Sequence, residues 1–107
     1  MNPSSHPAVF VHDTKRIISA NDAARALFGC ELWEMVDREL LEFVPEDYRD
    51  LTKFNLYTTR QGKGTMIKVR RYDFVRCDGS VFAADVTSRP LDDGHIETTV
   101  TYRYEVR

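Results

Sequence analysis

The spacing of apolar residues changes period twice along this chain. Residues 8–12 (AVFVH) and 16–20 (RIISA) are short β-rich runs separated by the polar 13–15, so they predict two antiparallel neighbouring strands. From Asn21 the spacing becomes helical. Ala23, Ala24, Leu27 and Phe28 share one face, Asn21 can cap the start, and Gly29 suits a left-handed stop. Residues 31–44 (ELWEMVDRELLEFV) are dense in apolar side chains without one continuous stripe, which predicts one or two short helical turns over a core. Pro45, Glu46 and Asp47 then open a longer helix to about Arg60. Tyr48, Leu51, Phe54 and Tyr57 recur every three residues as its expected buried stripe, and residues 61–64 (QGKG) end it.

The remainder alternates with period two. Residues 65–77 and 80–90 flank an Asp78-Gly79 hairpin turn, and 95–106 follow a second turn at 91–94. In the last run Ile96, Val100, Tyr102, Tyr104 and Val106 alternate with Glu97, Thr99, Thr101, Arg103 and Glu105, one face buried and one wet. Phe82, Ala84 and Val86 likewise face opposite to Val81, Ala83, Asp85 and Thr87. Ile67 and Val69 have one parity, Tyr72 and Phe74 the other, so a bulge is expected near Arg70–Arg71. Helices between runs of antiparallel strands predict an α+β fold. The organisation expected is a flexible lead-in over 1–7 and a single domain over 8–107.

Composition narrows the function. Fifteen basic against 17 acidic residues give a net charge of −2, without the basic excess of a nucleic-acid binder. Lys68, Arg70, Arg71 and Arg76 read as solvated strand positions. Cys30 and Cys77 make neither a disulfide framework nor a zinc site and are expected to be inert, small hydrophobes. That usage, with a polar N-terminus and no apolar run near the roughly 20 residues of a membrane span, leads to the expectation of a cytoplasmic protein.

Three stretches carry a resemblance. AVFVHD (8–13) with RIISANDAARALFG (16–29), LLEFVPEDYRD (40–50) and RCDGSVFAADVTSRP (76–90) resemble, in order and spacing, the motifs of the PAS domain family. The resemblance implies a five-stranded antiparallel sheet in spatial order 2-1-5-4-3, with short helices and one longer helix packed on one face around a cavity. It implies a sensory or interaction module of a signal-transduction protein. Its output would come from a neighbouring domain such as a histidine kinase, a nucleotide cyclase or a transcription regulator. The Asp-x-Thr exit motif of many relatives is absent, and residues 102–106 (YRYEV) stand in its place.

The resemblance also bears on cofactors. Haem-binding relatives use a histidine on the long helix, and the matching position is Thr52, which has no nitrogen for iron. Blue-light flavin relatives need a cysteine just before that helix, where the chain reads LLEFVPEDYR. Neither histidine-ligated haem nor covalent flavin is expected, and no cofactor is predicted.

A small organic ligand remains. Parity and resemblance together nominate Leu27, Trp33, Phe43, Tyr48, Phe54, Arg70, Tyr72, Phe74, Val86, Ser88, Val100 and Tyr102 as pocket residues; the simpler reading of the apolar ones is an ordinary core. Ser88 and Thr98 face inward by parity and offer hydroxyls. Arg70 either reaches inward to an anion or is turned outward by the bulge; the outward position needs no counter-charge and is the expectation taken. His12 is expected to be a structural histidine at a strand end, and Trp33 a core residue at a helix cap. No phosphate loop, serine elbow or metal-protease motif occurs. Tyr72 or Tyr102 paired with Asp73 or Asp85 would be the acid–base candidates, but the aspartates have the opposite parity, so an enzyme is not expected. Val75, Cys77, Val81, Ala83, Thr87, Thr99 and Thr101 form an outer sheet face of small and β-branched residues, suited to homodimerisation, with or without a ligand.

Overall fold

The computed structural model describes residues 7–61 and 66–104. The expected lead-in over 1–6, the helix stop at 62–64 and the end of the last strand at 105–107 lie outside the described residues. Five strands form one antiparallel sheet: β1 (Ala8–His12), β2 (Ile17–Ala20), β3 (Ile67–Val75), β4 (Val81–Pro90) and β5 (Ile96–Tyr102). Their spatial order is β2-β1-β5-β4-β3, as the resemblance implied. Between β2 and β3 come α1 (Asp22–Phe28), α2 (Leu32–Met35), two 3-10 turns (Leu40–Phe43 and Glu46–Tyr48) and α3 (Arg49–Gln61).

The caps sit where the residues predicted them. Asn21 Oδ1 accepts the Ala24 N–H at 2.8 Å and the Val9 N–H at 3.1 Å, so one side chain starts α1 and pins it to β1. Gly29 ends α1 with φ at 66°, a left-handed conformation that costs glycine little. The Asp78-Gly79 turn puts its positive φ of 88° on the glycine, and Asp78 accepts the Ser80 N–H.

Alternation along the strands sends one set of side chains toward the helices. Phe28 of α1 is the hub of the resulting core. It meets Phe10, Phe43, Phe74 and Phe82 edge-on, at centroid distances of 6.1, 5.8, 5.4 and 5.2 Å. Phe43, Val100, Ala24, Met35 and Ala84 are buried around it.

The bulge falls where the parity switch put it. Val69 pairs with Val86 and Tyr72 with Ala84, so Arg70 and Arg71 together oppose Asp85. Arg71 takes φ of 56°, and its N–H donates to Asp85 Oδ1 at 2.9 Å. The extra residue lets Ile67 and Val69 on one side, and Tyr72 and Phe74 on the other, all serve the inner face.

Two expectations are corrected. Cys30 and Cys77 are joined in a disulfide, with Cα atoms 5.6 Å apart. The turn at Gly29 and the end of β3 bring them together: Cys77 N–H donates to Phe28 O at 3.0 Å, and Arg76 Nε to Leu27 O at 3.1 Å. Cys77 therefore faces α1 and leaves the outer-face set.

The second correction concerns α3. Leu51, Phe54 and Tyr57 are exposed, while Thr52 is buried with Asn55 and Leu56 half-buried. Three residues turn a helix by about 300°, so a strict three-residue repeat slips by about 60° at each step and ends on the opposite side. The pair of spacings from Thr52 to Asn55 and Leu56 stays on one face.

Candidate functional site

A cavity of about 60 Å³ lies between α3 and the inner face of the sheet. At 10–15 Å³ for one water, that is room for about four waters, or for an organic molecule of about five heavy atoms. Its walls are mostly apolar: Phe10 from β1, Leu40 and Val44 before α3, Leu56 of α3, Ile67, Val69, Tyr72 and Phe74 of β3, and Val86 of β4. The polar side chains are His12, Thr52, Asn55, Ser88 and Thr98.

These polar groups are ordered by one another. His12 is 1% exposed. Its Nδ1 accepts the Thr14 N–H at 3.1 Å, which leaves the ring proton on Nε2. Nε2 lies 3.2 Å from Thr98 Oγ1, and Thr98 Oγ1 lies 2.9 Å from Ser88 Oγ. Burial disfavours the imidazolium and lowers the His12 pKa to about 4; the nearby Asp13 carboxylate pulls it up, and His95 pushes it down. Thr52 donates its hydroxyl to Tyr48 O at 2.8 Å, one turn back on the helix.

Tyr72 is different. It is 5% exposed, and its hydroxyl is buried with no hydrogen-bond partner among the described residues. Burial, with Tyr48 beside it, raises the phenol pKa to about 12, so it is a protonated donor at neutral pH. Buried hydroxyls are nearly always partnered, and an orphan on a cavity wall marks a place for a water or a ligand atom.

Of the twelve nominated pocket residues, Tyr72, Phe74, Val86 and Ser88 line the cavity. Phe43 and Val100 are core residues behind it. Leu27 packs against the core from α1, and Tyr102 lies against Phe82 at 6.0 Å. Tyr48 sets its ring edge-on to Tyr72 at 5.2 Å, outside the lining. Trp33 is 73% exposed and is neither core nor pocket: α2 is one turn long and buries only Met35. Phe54 is 64% exposed because of the α3 phase slip. Arg70 is exposed, since the bulge spends its extra residue on the outward side.

The residues missed were Phe10 and His12, the helix face of Thr52, Asn55 and Leu56, and Leu40, Val44, Ile67 and Val69. Phe10 and His12 share the parity of Ala8, a signal already present in AVFVH. Asp73 and Asp85 do not line the cavity; Asp85 is held by Arg71 N–H and by Arg103 Nη1 at 2.8 Å. Among the described residues no group of histidine, cysteine or carboxylate side chains could hold a metal ion. His12, the histidine among the described lining residues, has both ring nitrogens hydrogen-bonded. No helix among the described residues is long and apolar enough to cross a membrane.

Comparison with known proteins matches residues 6–103 to the family model described as PAS domain. No curated protein sequence matches the chain. Among solved structures, the PAS-B domain of Drosophila melanogaster Cycle with bound ethylene glycol superposes with a TM-score of 0.81 at 12% identity, covering 90% of this chain and 99% of that one. The PAS domain of an HTR-like protein from Haloarcula marismortui gives 0.78 at 17% identity, covering 92% and 88%. A domain of a sensory box sensor histidine kinase/response regulator from Geobacter sulfurreducens gives 0.76 at 12% identity, covering 89% and 82%.

Proposed function

The chain belongs to the PAS domain family, and we propose that it is a sensory module that binds a small organic molecule between α3 and the sheet and passes the event to a neighbouring output domain. One observation carries the ligand reading: Tyr72, whose hydroxyl is buried without a partner among the described residues, lines a mostly apolar cavity. A buried donor without an acceptor costs stability, and one small guest carrying an oxygen acceptor relieves that cost. The walls come from β1, β3, β4, β5, α3 and the turn before it, so a guest touches both layers of the fold at once. Histidine kinases are one class of output, since a similar domain belongs to one in Geobacter sulfurreducens. The role in this reading is sensory, and among the described residues no carboxylate lines the cavity for acid–base work. No haem or covalent flavin takes part. Methyl NMR during titration with small organic molecules tests the reading. Saturable shifts at Val69 and Val86, with Val9 and Val11 unmoved, support it; shifts confined to the outer face refute it.

The outer sheet face favours homodimerisation as a second means of transmission. Val9, Val75, Val81, Ala83, Thr87, Thr99 and Thr101 form its small and β-branched part. The ion pairs Arg89–Glu97 and Arg103–Asp85, each at 2.8 Å, stand on the same face. Light scattering at high micromolar concentration should report a dimer, and a monomer there removes this reading.

A further inference from the structure

The cavity is uncharged. Among the described residues no Asp, Glu, Lys or Arg lines it, and the one histidine that does is neutral, with both ring nitrogens bonded. Lys68, Arg70 and Arg71, which flank the wall residues of β3, are exposed. The Arg71 guanidinium lies 3.7 Å from Asp73, and that of Arg103 pairs with Asp85 at 2.8 Å.

Two hydroxyl protons remain for a guest. Tyr72 has no acceptor among the described residues. At the other pole, Thr98 Oγ1 receives the His12 Nε2–H and shares one proton with Ser88 Oγ, so one hydroxyl proton of the Ser88–Thr98 pair is left to donate. We infer that the cavity selects an uncharged molecule of about five heavy atoms, with a carbonyl or hydroxyl oxygen held by Tyr72 or Ser88 and an apolar body against Val69, Phe74 and Val86, and that it rejects the corresponding anion and cation. The inference rests on the ligand reading above. Its physical basis is desolvation. A carboxylate or ammonium stripped of water needs a counter-charge, and two neutral hydroxyls do not replace one. A neutral carbonyl loses less on entry and regains it from a single O–H donor.

The test uses three probes of nearly the same shape at pH 7.5: butyramide, butyrate and butylammonium, each titrated against the intact chain and followed by the Val69 and Val86 methyl signals. Butyramide should bind at least tenfold more tightly than either ion. Tyr72→Phe and Ser88→Ala test the two poles; one of them should weaken butyramide by about fivefold, with the methyl spectrum of the unliganded variant confirming the fold. Equal or tighter binding of either ion overturns the inference while leaving a ligand site in place. Unchanged affinity in both variants overturns it as well, since the guest then uses neither hydroxyl. If none of the three probes moves the cavity methyls, the inference and the ligand reading fail together.

Discussion

His12 Nε2 lies 3.2 Å from Thr98 Oγ1, across the junction of β1 and β5. A buried imidazole in that position is neutral, and its pKa stands at about 4 against 6.5 in an unfolded chain. The unfolded state therefore binds a proton that the folded state refuses. Stability from this group is complete above pH 6.5 and is lost progressively as pH falls through about 4. The gap corresponds to roughly 3 kcal/mol. Urea midpoints measured from pH 7.5 to 4 should fall accordingly, and His12→Asn should flatten the profile. An equal slope in the variant would mean that surface carboxylates dominate.

Thr98→Val removes the partner of His12 Nε2–H and of Ser88 Oγ without changing the shape of the side chain much. The cost should be about 1–3 kcal/mol, the usual penalty for a buried donor left unmade. Thermal denaturation of the variant checks it. An unchanged midpoint would show that water replaces the hydroxyl.

The Cys30–Cys77 disulfide closes a loop with a sequence separation of 47. Loop-closure entropy for that span is worth about 4 kcal/mol. Cys77→Ser, or an excess of reductant, should lower the melting midpoint by 10 °C or more, given about 4–8 °C per kcal/mol in a chain of this size. Coincident melts with and without reductant would contradict it.

Arg71 holds a left-handed backbone at the bulge, with φ of 56°. Glycine takes that conformation freely, whereas a β-branched side chain strains it. Arg71→Gly should be neutral or stabilise by up to about 1 kcal/mol, and Arg71→Val should destabilise by about 1–2 kcal/mol. The opposite order in urea denaturation would show that the ion pair of Arg71 with Asp73, 3.7 Å apart, and not the backbone, sets the balance.

Most of the fold was legible because it rests on local chemistry. Asn21 and Gly29 announced α1, and Asp78-Gly79 announced a hairpin. The parity switch between Val69 and Tyr72 located the bulge before any register was known. What failed was distance and phase. Nothing local states that Cys30 and Cys77 meet, since that depends on how α1 docks beside the end of β3. Tyr48, Leu51, Phe54 and Tyr57 repeat by threes, whereas a helix turns by 3.6, so the stripe drifts off the buried face; Thr52 and Asn55 are polar, and an apolar pattern passes over them. His12 was read as a structural histidine, which its two hydrogen bonds bear out, but its place on the cavity wall needed the parity of β1 to be followed to the end.

The central claim is that the space beneath α3 is a binding site with the Tyr72 hydroxyl at one pole. A crystal structure of the domain grown with butyramide tests it most directly. The account predicts the amide between Val69, Phe74 and Val86, with its carbonyl oxygen within hydrogen-bond distance of Tyr72 Oη or Ser88 Oγ. A cavity filled only by ordered water bonded to Tyr72, with the amide absent or on the outer sheet face, would contradict it.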